Sequence, residues 1–400
     1  MHARRAHWKR SLRSVQLALG PFFIMLVFYA IGASANEPIF SRFLATLTSS
    51  LFLIGLLSSI TWLIYTVGSE PAGSIVDRIG VRNAVLFGGA LDAAGYLLVY
   101  FAFSIPVLVA VLIIEGVGSA LFWSASRAYT VKRGKKNTGT ALGGYTASWG
   151  IGWSFGPLIG GLLALTLNLR PVFLIGAVLM LVAVVAFSRV LPEEAHRPLA
   201  RTLKYEARGG FIRDGINFLR GAPAGTKRIF VVQSLLYGAL EIVLIFSPLY
   251  FLQLNDAEIG AAFFIESILF AVACIAAGTL SDGANKPLYL VLGFLGGGAI
   301  MLLLTVSSSL ATVLLLMGLL GVALAFVEPI SDAILYEIIE AKARGIATGL
   351  SQAAYGVGAG VGPIIAGAVV TVFGLGSSFT LAMLLCALGV LIGISLMRRA

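Results

Sequence analysis

The sequence predicts an all-α polytopic membrane protein of twelve transmembrane helices, laid out as two six-helix bundles. Three observations carry that expectation. Hydrophobic residues make up 58% of the 400 and charged residues 12%, with a mean hydropathy of +0.97. Soluble domains carry about 25% charged residues, and a water-facing fold cannot hide this much apolar surface. Twelve apolar stretches approach or exceed the roughly 20 residues that cross a bilayer as a helix: 14–35, 50–70, 83–103, 106–128, 141–166, 171–191, 228–253, 257–280, 287–306, 308–336, 344–372 and 376–397. Finally, the chain repeats itself in the same orientation. Slid by 205 residues, Gly73 falls on Gly278 and Asp77 on Asp282; slid by 206, Gly156-Pro157 falls on Gly362-Pro363 and Gly161 on Gly367.

The first stretch follows "MHARRAHWKRSLR" and ends at Ala33-Ser34-Ala35, which imitates a secretory signal with its cleavage site. Its apolar run is long for such a signal, and cleavage would leave eleven helices and an unmatched first half. It reads as an uncleaved first helix. Short polar breaks separate most of the stretches that follow. Between the second and third lies "GSIVDRIGVR" (73–82), with an acid and two arginines between apolar runs; "GTLSDGANKP" (278–287) is its fainter copy. The long exception is 192–227, polar and strongly basic, which joins a bundle at 1–191 to one at 228–400. Within it, "GGFIRDGINFLRG" places Phe211, Ile212, Ile216 and Leu219 on one helical side. That suits a short amphipathic helix on the membrane surface; a disordered linker fits the same residues.

Basic residues prefer cytoplasmic loops near helix ends. With twelve helices and both termini inside, all but two of the 28 Lys and Arg fall on the cytoplasmic side, Arg42 and Arg170 being the exceptions. An error of one helix would scatter that asymmetry. It also accounts for the formal net charge of +10: the basic residues anchor the protein in the cell membrane and meet anionic membrane lipid. "VKRGKKNTG" (131–139) is read in the same way and not as a nucleic-acid contact. Cys274 and Cys386 fall inside apolar helices, which argues against a disulfide or a metal site. His2, His7 and His196 lie in the tail and the central join, which leaves no intramembrane histidine for a proton relay. No Walker lysine motif, histidine metal site or placeable nucleophile–base pair supports an enzyme, and no cofactor is implied.

Two parallel six-helix repeats around a central site is a transporter plan. "GSIVDRIGVR" resembles the signature G-x-x-x-D-R-x-G-R-R that the major facilitator superfamily carries between its second and third helices. Gly73, Asp77, Arg78, Gly80 and Arg82 match it, and Val81 stands where a base is usual. The resemblance implies the major facilitator fold and a cytoplasmic latch between the bundles, with Asp77 at the positive N-terminal end of a neighbouring helix. An ordinary charged turn is the simpler reading. The copy keeps Gly278 and Asp282 but has Gly283 for the arginine, which implies a weaker latch.

"GGYTASWGIGWSFGPLIGG" (143–161) resembles the antiporter signature G-x8-G-x3-G-P-x2-G-G of the proton-coupled drug exporters in that superfamily. Gly143, Gly152, Gly156, Pro157, Gly160 and Gly161 fill all six fixed positions. Small residues let helices approach closely in lipid, a sufficient reason for glycine but not for this spacing. The resemblance implies a rigid, kinked helix that favours exchange over leak. One position departs. Exporters of this type carry an arginine in the fourth helix, four residues before the glycine matched by Gly116; here that residue is Leu112, and Glu115 stands where an amide is usual.

Acids near the bilayer centre cost about 3 kcal/mol each on insertion scales. Asp92 and Glu115 lie well inside the third and fourth stretches, about 13 Å deep at 1.5 Å per residue. Glu241, Glu266 and Glu328 are also internal, and Glu328 precedes Pro329, whose ring breaks the helical hydrogen-bond ladder. No Lys or Arg falls in the middle of any candidate helix, so the interior reads as acidic with no fixed counter-cation. Burial favours the protonated form of a carboxyl, and an arriving cation favours the ionised form; such a site exchanges a proton for a cation by competition. In the superfamily resembled, the first, fourth, seventh and tenth helices line the cavity, which implies Glu115, Glu241 and Glu328 as the cavity set. Asp92 and Glu266 stand open between a transport role and a structural one. Tyr29, Trp123, Tyr145, Trp149 and Tyr237 are candidates to hold organic cations on their ring faces, with plain packing the alternative.

The expected function is secondary active export of organic, cationic or amphipathic small molecules in exchange for protons. It would proceed by alternating access in a monomer, without nucleic acid. A lipid or glycolipid flippase, a proton-coupled symporter of a neutral nutrient and a non-transporting membrane sensor are the alternatives. In a background lacking Cys274 and Cys386, cysteines introduced at Thr202 and Ala400 should react with an impermeant maleimide only from the cytoplasmic side. Reaction of either from outside would remove the twelve-helix arrangement.

Overall fold

The computed structural model describes residues 19–134, 137–192, 211–280, 285–340 and 344–397. Among these residues twelve helices are long and apolar enough to span a membrane: α1 (Leu19–Ala45), α2 (Leu51–Ile79), α3 (Val81–Tyr100), α4 (Ile105–Gly134), α5 (Thr138–Leu167), α6 (Leu169–Val190), α7 (Ala224–Tyr250), α8 (Asp256–Leu280), α9 (Lys286–Leu304), α10 (Leu310–Ile338), α11 (Arg344–Phe373) and α12 (Ser377–Met397). Lipid offers no partner to backbone N–H and C=O groups, so helices that satisfy their own are the natural spanning element. The fold is the two-bundle, all-α arrangement the sequence predicts.

Two stretches depart from the sequence reading. The first helix does not end at residue 35. α1 is interrupted at residues 35 and 36 and resumes as a half-helix from Glu37 to Ala45. Asn36-Glu37-Pro38 reads as a loop, but proline is well tolerated in a first helical turn, where its missing N–H would have no partner anyway. Ala33, Ser34 and Ala35 lie buried inside this span. α10 breaks in the same manner: tight turns at Phe326 and Val327 precede a fresh start at Glu328-Pro329. The second departure is at 73–82, which is neither a loop nor a charged turn. α2 stays helical to Ile79 and carries Asp77 and Arg78 on its last turn. The connection to α3 is Gly80 alone, at φ +83°, a left-handed conformation that a side chain would strain.

In the join, residues 211–221 are helical. This helix docks on α11 through Gly215, which abuts Leu350, with Phe218 and Leu219 packed alongside. Ile216, expected on the apolar side, is exposed, because the docked face is centred on the glycine one residue earlier. The side chains of Phe211 and Ile212 lie outside the described residues.

The repeat extends from sequence to contact. α5 lays Gly152, Gly156 and Gly160 on α1, where added Cβ atoms would collide with Ala30, Ser34 and Ala35. α11 lays Gly358 and Gly362 on α7, against Ser234 and Gly238. On its other side α5 meets α8, with Pro157 and Gly161 against Gly260 and Asp256; α11 meets α2, with Pro363 and Gly367 against Gly55 and Leu51. Every partner is displaced from its counterpart by 204 to 206 residues. Spacing by four puts 152, 156 and 160 on one helical stripe, and the adjacent Gly161 turns toward the other half.

The α5–α8 and α2–α11 contacts join the halves near the helix ends remote from the 192–227 join, here the far side. There the apolar residues of both halves form one core, from Ile39, Phe43 and Phe173 to Phe246, Phe251 and Phe263. On the linker side the first half keeps a separate core around Phe22, Tyr129 and Phe187. The halves share one core on the far side and keep separate cores on the linker side. Gly160→Val should destabilise the protein by about 1–3 kcal/mol, as overpacking does, and lower its thermal midpoint in detergent. Gly143→Ala, at a position of the same signature where an added Cβ meets nothing within 4 Å, should leave the midpoint unchanged. Equal effects would mean that the spacing does not serve packing.

Candidate functional site

Buried and half-buried acids fall into three groups. The first is inside the N-terminal half. α3 and α4 touch backbone to backbone, Gly118 against Asp92 and Gly95 against Glu115, which sets these two acids on facing turns. Asp92 is 1% exposed. Its Oδ2 accepts from Tyr29 Oη at 2.6 Å and from Ser119 Oγ at 3.2 Å. Tyr29 is fully buried and stacks on Phe122, with ring centroids 3.7 Å apart. Glu115 therefore does not stand with Glu241 and Glu328, and Tyr29 is core. α4 turns its 115–118–122 side toward α3, so a position on a cavity-lining helix is not by itself a position in the cavity.

The second group lies between the halves. Glu37 on α1, Glu241 on α7 and Glu266 on α8 are electrostatic neighbours, and the polar edge of Trp153 acts on Glu37. Ser267 Oγ donates to Glu266 at 3.0 Å. Trp153 sits 5.9 Å from Trp123 and 6.1 Å from Trp149 between ring centroids, an aromatic wall from α4 and α5. Tyr145 is buried beside it, its hydroxyl 3.5 Å from the Trp123 carbonyl. Glu37 lies outside the sequence expectation, which ends the first apolar stretch at residue 35. The signal was present: Glu37-Pro38 repeats the Glu328-Pro329 pair.

The third group is nearer the linker side. Glu328 accepts from Tyr237 Oη at 3.2 Å, and the Tyr237 ring lies 4.7 Å from that of Tyr355. One turn on, Asp332 Oδ1 accepts from Gln233 Nε2 at 2.9 Å, Ser351 Oγ at 3.2 Å and Tyr355 Oη at 3.3 Å. Cys274 is an electrostatic neighbour of both Glu266 and Glu328, so the second and third groups form one column along the gap. Facing its mouth is Arg127, exposed on α4, whose charge acts on Asp332, Tyr65 and Tyr145. An exposed cation thus acts on the linker-side end of the column. The sequence assigned Arg127 to a helix end, but α4 runs seven residues beyond it to Gly134. Arg127 and Asp332 are repeat counterparts, 205 residues apart.

Of the 73–82 signature, Asp77 and Arg78 are exposed at the linker-side end of α2, and Arg82 donates to the Ser188 carbonyl at 3.1 Å within its own half. Gly73 touches nothing an added Cβ would meet. Asp282 lies outside the described residues.

The far side is held by a guanidinium. Arg42 on α1 gives Nη1 to Asp256 Oδ1 at 2.6 Å, Nε to the Pro248 carbonyl at 2.8 Å, and Nη2 to the carbonyls of Leu254 at 2.8 Å and Phe251 at 3.1 Å. The Pro248 and Phe251 carbonyls belong to the C-terminal end of α7, where orphan acceptors and the helix dipole favour a cation, and that of Leu254 to the turn leading into α8. Arg170 does the same within the first half, donating to the Tyr100 and Ala102 carbonyls at 2.9 and 3.0 Å over the Phe103 ring. The two arginines that break the basic asymmetry are both engaged by helix ends.

The model of the Major Facilitator Superfamily matches residues 22–290 and, in a second match, 229–400. The chain belongs to the major facilitator superfamily. Its facilitator relatives include the multidrug efflux protein YfmO of Bacillus subtilis (strain 168), 25% identical over 387 residues that cover 96% of this chain and 94% of that one. The methyl viologen resistance protein SmvA of Salmonella typhimurium is 32% identical over 129 residues, 32% of this chain. That match spans only 26% of SmvA's own length. Among solved structures, a bacterial homologue of the human lysosomal transporter Spinster, in an inward-facing and occupied conformation, superposes with a TM-score of 0.79 at 12% identity, over 96% of this chain and 97% of that one; at this identity the likeness is one of fold. Facilitator proteins are transporters and not enzymes, and this one is an integral membrane protein.

Arg42→Ala should open the far side of this facilitator protein. Spin labels at the exposed Ser49 and Gln253 should show a longer distance in a population raised about tenfold or more, because a hydrogen bond to a charged group contributes about 1.5–3 kcal/mol. Asp256→Asn keeps the carbonyl bonds and should do less. Identical distance distributions in the parent and both variants would eliminate the clamp.

Proposed function

We propose that this facilitator protein exports organic cations and amphipathic molecules in exchange for protons, by alternating access. The observation that carries the reading is the column of Glu37, Glu241, Glu266 and Glu328 in the gap between the halves, beside the wall of Trp123, Trp149 and Trp153. When the column is empty its carboxyls hold protons, since desolvation disfavours the charged form. A cargo cation stacks on the indole faces and favours the carboxylate, and the displaced proton leaves to the open side. The multidrug efflux name of YfmO and the viologen-resistance name of SmvA support the same cargo class. The spacing of Gly143, Gly152, Gly156, Pro157, Gly160 and Gly161 supports exchange.

In this reading both termini and the 192–227 join face the cytoplasm, a single chain in the cell membrane is the working unit, and the described conformation opens inward. Closing the linker side brings the repeat counterparts Arg127 and Asp332 together, with Asp77 and Arg78 at the α2 end as the latch. Glu328 takes the coupling role and Glu241 the contact with the cation.

Purified protein in sealed proteoliposomes with an imposed pH gradient tests this, with tetraphenylphosphonium as the cation. Uptake should be accompanied by proton movement. Glu328→Gln should lose gradient-driven accumulation and keep downhill flux; Glu241→Gln should weaken cation affinity about tenfold or more and spare neutral cargo. Arg127→Asp and Asp332→Arg should each slow exchange, and the double variant should restore it. Normal accumulation by the Gln variants of Glu37, Glu241 and Glu328 would show these glutamates to be structural.

A further inference from the structure

Asp92 and Glu115 are left outside the cargo column, and their surroundings are unlike it. Asp92 Oδ1 is buried and has no hydrogen-bond partner among the described residues, while both donors, Tyr29 and Ser119, are on Oδ2. The titratable groups facing the acid are Tyr29 from α1, Tyr96 on α3 itself and Glu115 from α4, with Glu37 acting on Tyr96 from farther off. α6 brings only glycine and apolar side chains to α3 here, Gly176 beside Tyr96 and Val184 on Gly89. Among the described residues no Lys or Arg acts on either carboxyl. Two neighbouring carboxyls without a counter-cation resist ionising together, so the last proton on the pair is the one held most tightly. The space is also closed: backbone contacts at Gly95 and Gly118 shut it from the α3 side, and the stacked Tyr29 and Phe122 rings cover it.

We infer that Asp92 and Glu115 together bind one proton at a site walled off from cargo and joined to the column through Tyr29. A proton on Asp92 Oδ1 turns that unpartnered acceptor into a donor, and the Glu115 carboxyl on the facing turn strengthens its hold by disfavouring a second charge. When it leaves, the charge on Asp92 tightens its hold on Tyr29, since a hydrogen bond to an ionised acceptor is the stronger one. Tyr29 lies edge-on to Trp123 at 6.0 Å, Trp123 meets Trp153 at 5.9 Å, and Trp153 acts on Glu37. Loss of the proton is thereby felt at the cargo wall without any contact between proton and cargo. The use of the site in coupling rests on the exporter reading; its existence does not.

Infrared difference spectroscopy during a pH titration of the purified full-length protein in detergent, without cargo, reads the C=O stretch of protonated carboxyls. Asp92→Asn and Glu115→Gln should each remove the same single component, because the proton belongs to the pair. Glu241→Gln and Glu328→Gln should leave that component in place. Tyr29→Phe keeps both acids and the ring stack, and should move the titration midpoint of this component alone. Tetraphenylphosphonium should alter the Glu241 and Glu328 components and leave this one present. Two separate components lost in D92N and E115Q, or none, would overturn the shared site, as would its removal by the cation. If the component behaves as expected but vesicles show no proton-driven cation transport, the proton site stands and the exporter reading falls.

Discussion

Backbone-to-backbone contact through glycine is what the rest of this molecule depends on. Lipid chains are as apolar as leucine, so helices inside a bilayer gain little from burying one another's side chains, and close van der Waals approach has to supply the association. α5 and α11 supply it twice each. One stripe of each helix lies on a helix of its own half, α1 or α7, and the neighbouring small residues lie on a helix of the other half, α8 or α2. The same two helices therefore build the bundles and join them. A side chain at Gly156 would meet Ser34, and one at Gly161 would meet the α8 backbone; either would push apart elements that position the acids.

The repeats agree where they build the fold and differ where they place chemistry. Gly88 and Gly293, Gly116 and Gly321, Gly152 and Gly358 are paired small residues with equivalent neighbours. At the same registers Thr61 corresponds to Glu266, Trp123 to Glu328, Asp92 to Gly297 and Arg127 to Asp332. Symmetric packing sets α4 and α10 at equivalent places in the two halves, so a difference between counterparts becomes an opposition between halves: the Arg127 guanidinium acts on the Asp332 carboxyl. The far-side clamp has no such twin. Arg42 reaches across to α7 and α8, whereas Arg170 stays within its own half.

Helix count, the two-bundle plan and the antiporter spacing were legible in the residues, because apolar run length and repeat register are local properties that lipid enforces on every span. Glu241, Glu266 and Glu328 were legible as buried acids for the same reason. The sequence by itself therefore determined which segments cross the membrane, that they do so as two like-oriented sets of six, and which polar groups must be accommodated there. It did not determine which acids share a space. Glu115 and Glu241 sit at similar depths on helices of one class, yet α4 turns Glu115 toward Gly95 inside its bundle, and only the rotation set by helix packing decides that. Glu37 and Arg127 were missed because their place depends on how far α1 and α4 run past the apolar stretch, which capping and tertiary contact settle and hydropathy does not. Membership of the column, the sealed pair at Asp92 and the four-bond grip of Arg42 are all relations between residues far apart in the chain; they exist only once helix rotation and the bundle interface have been chosen.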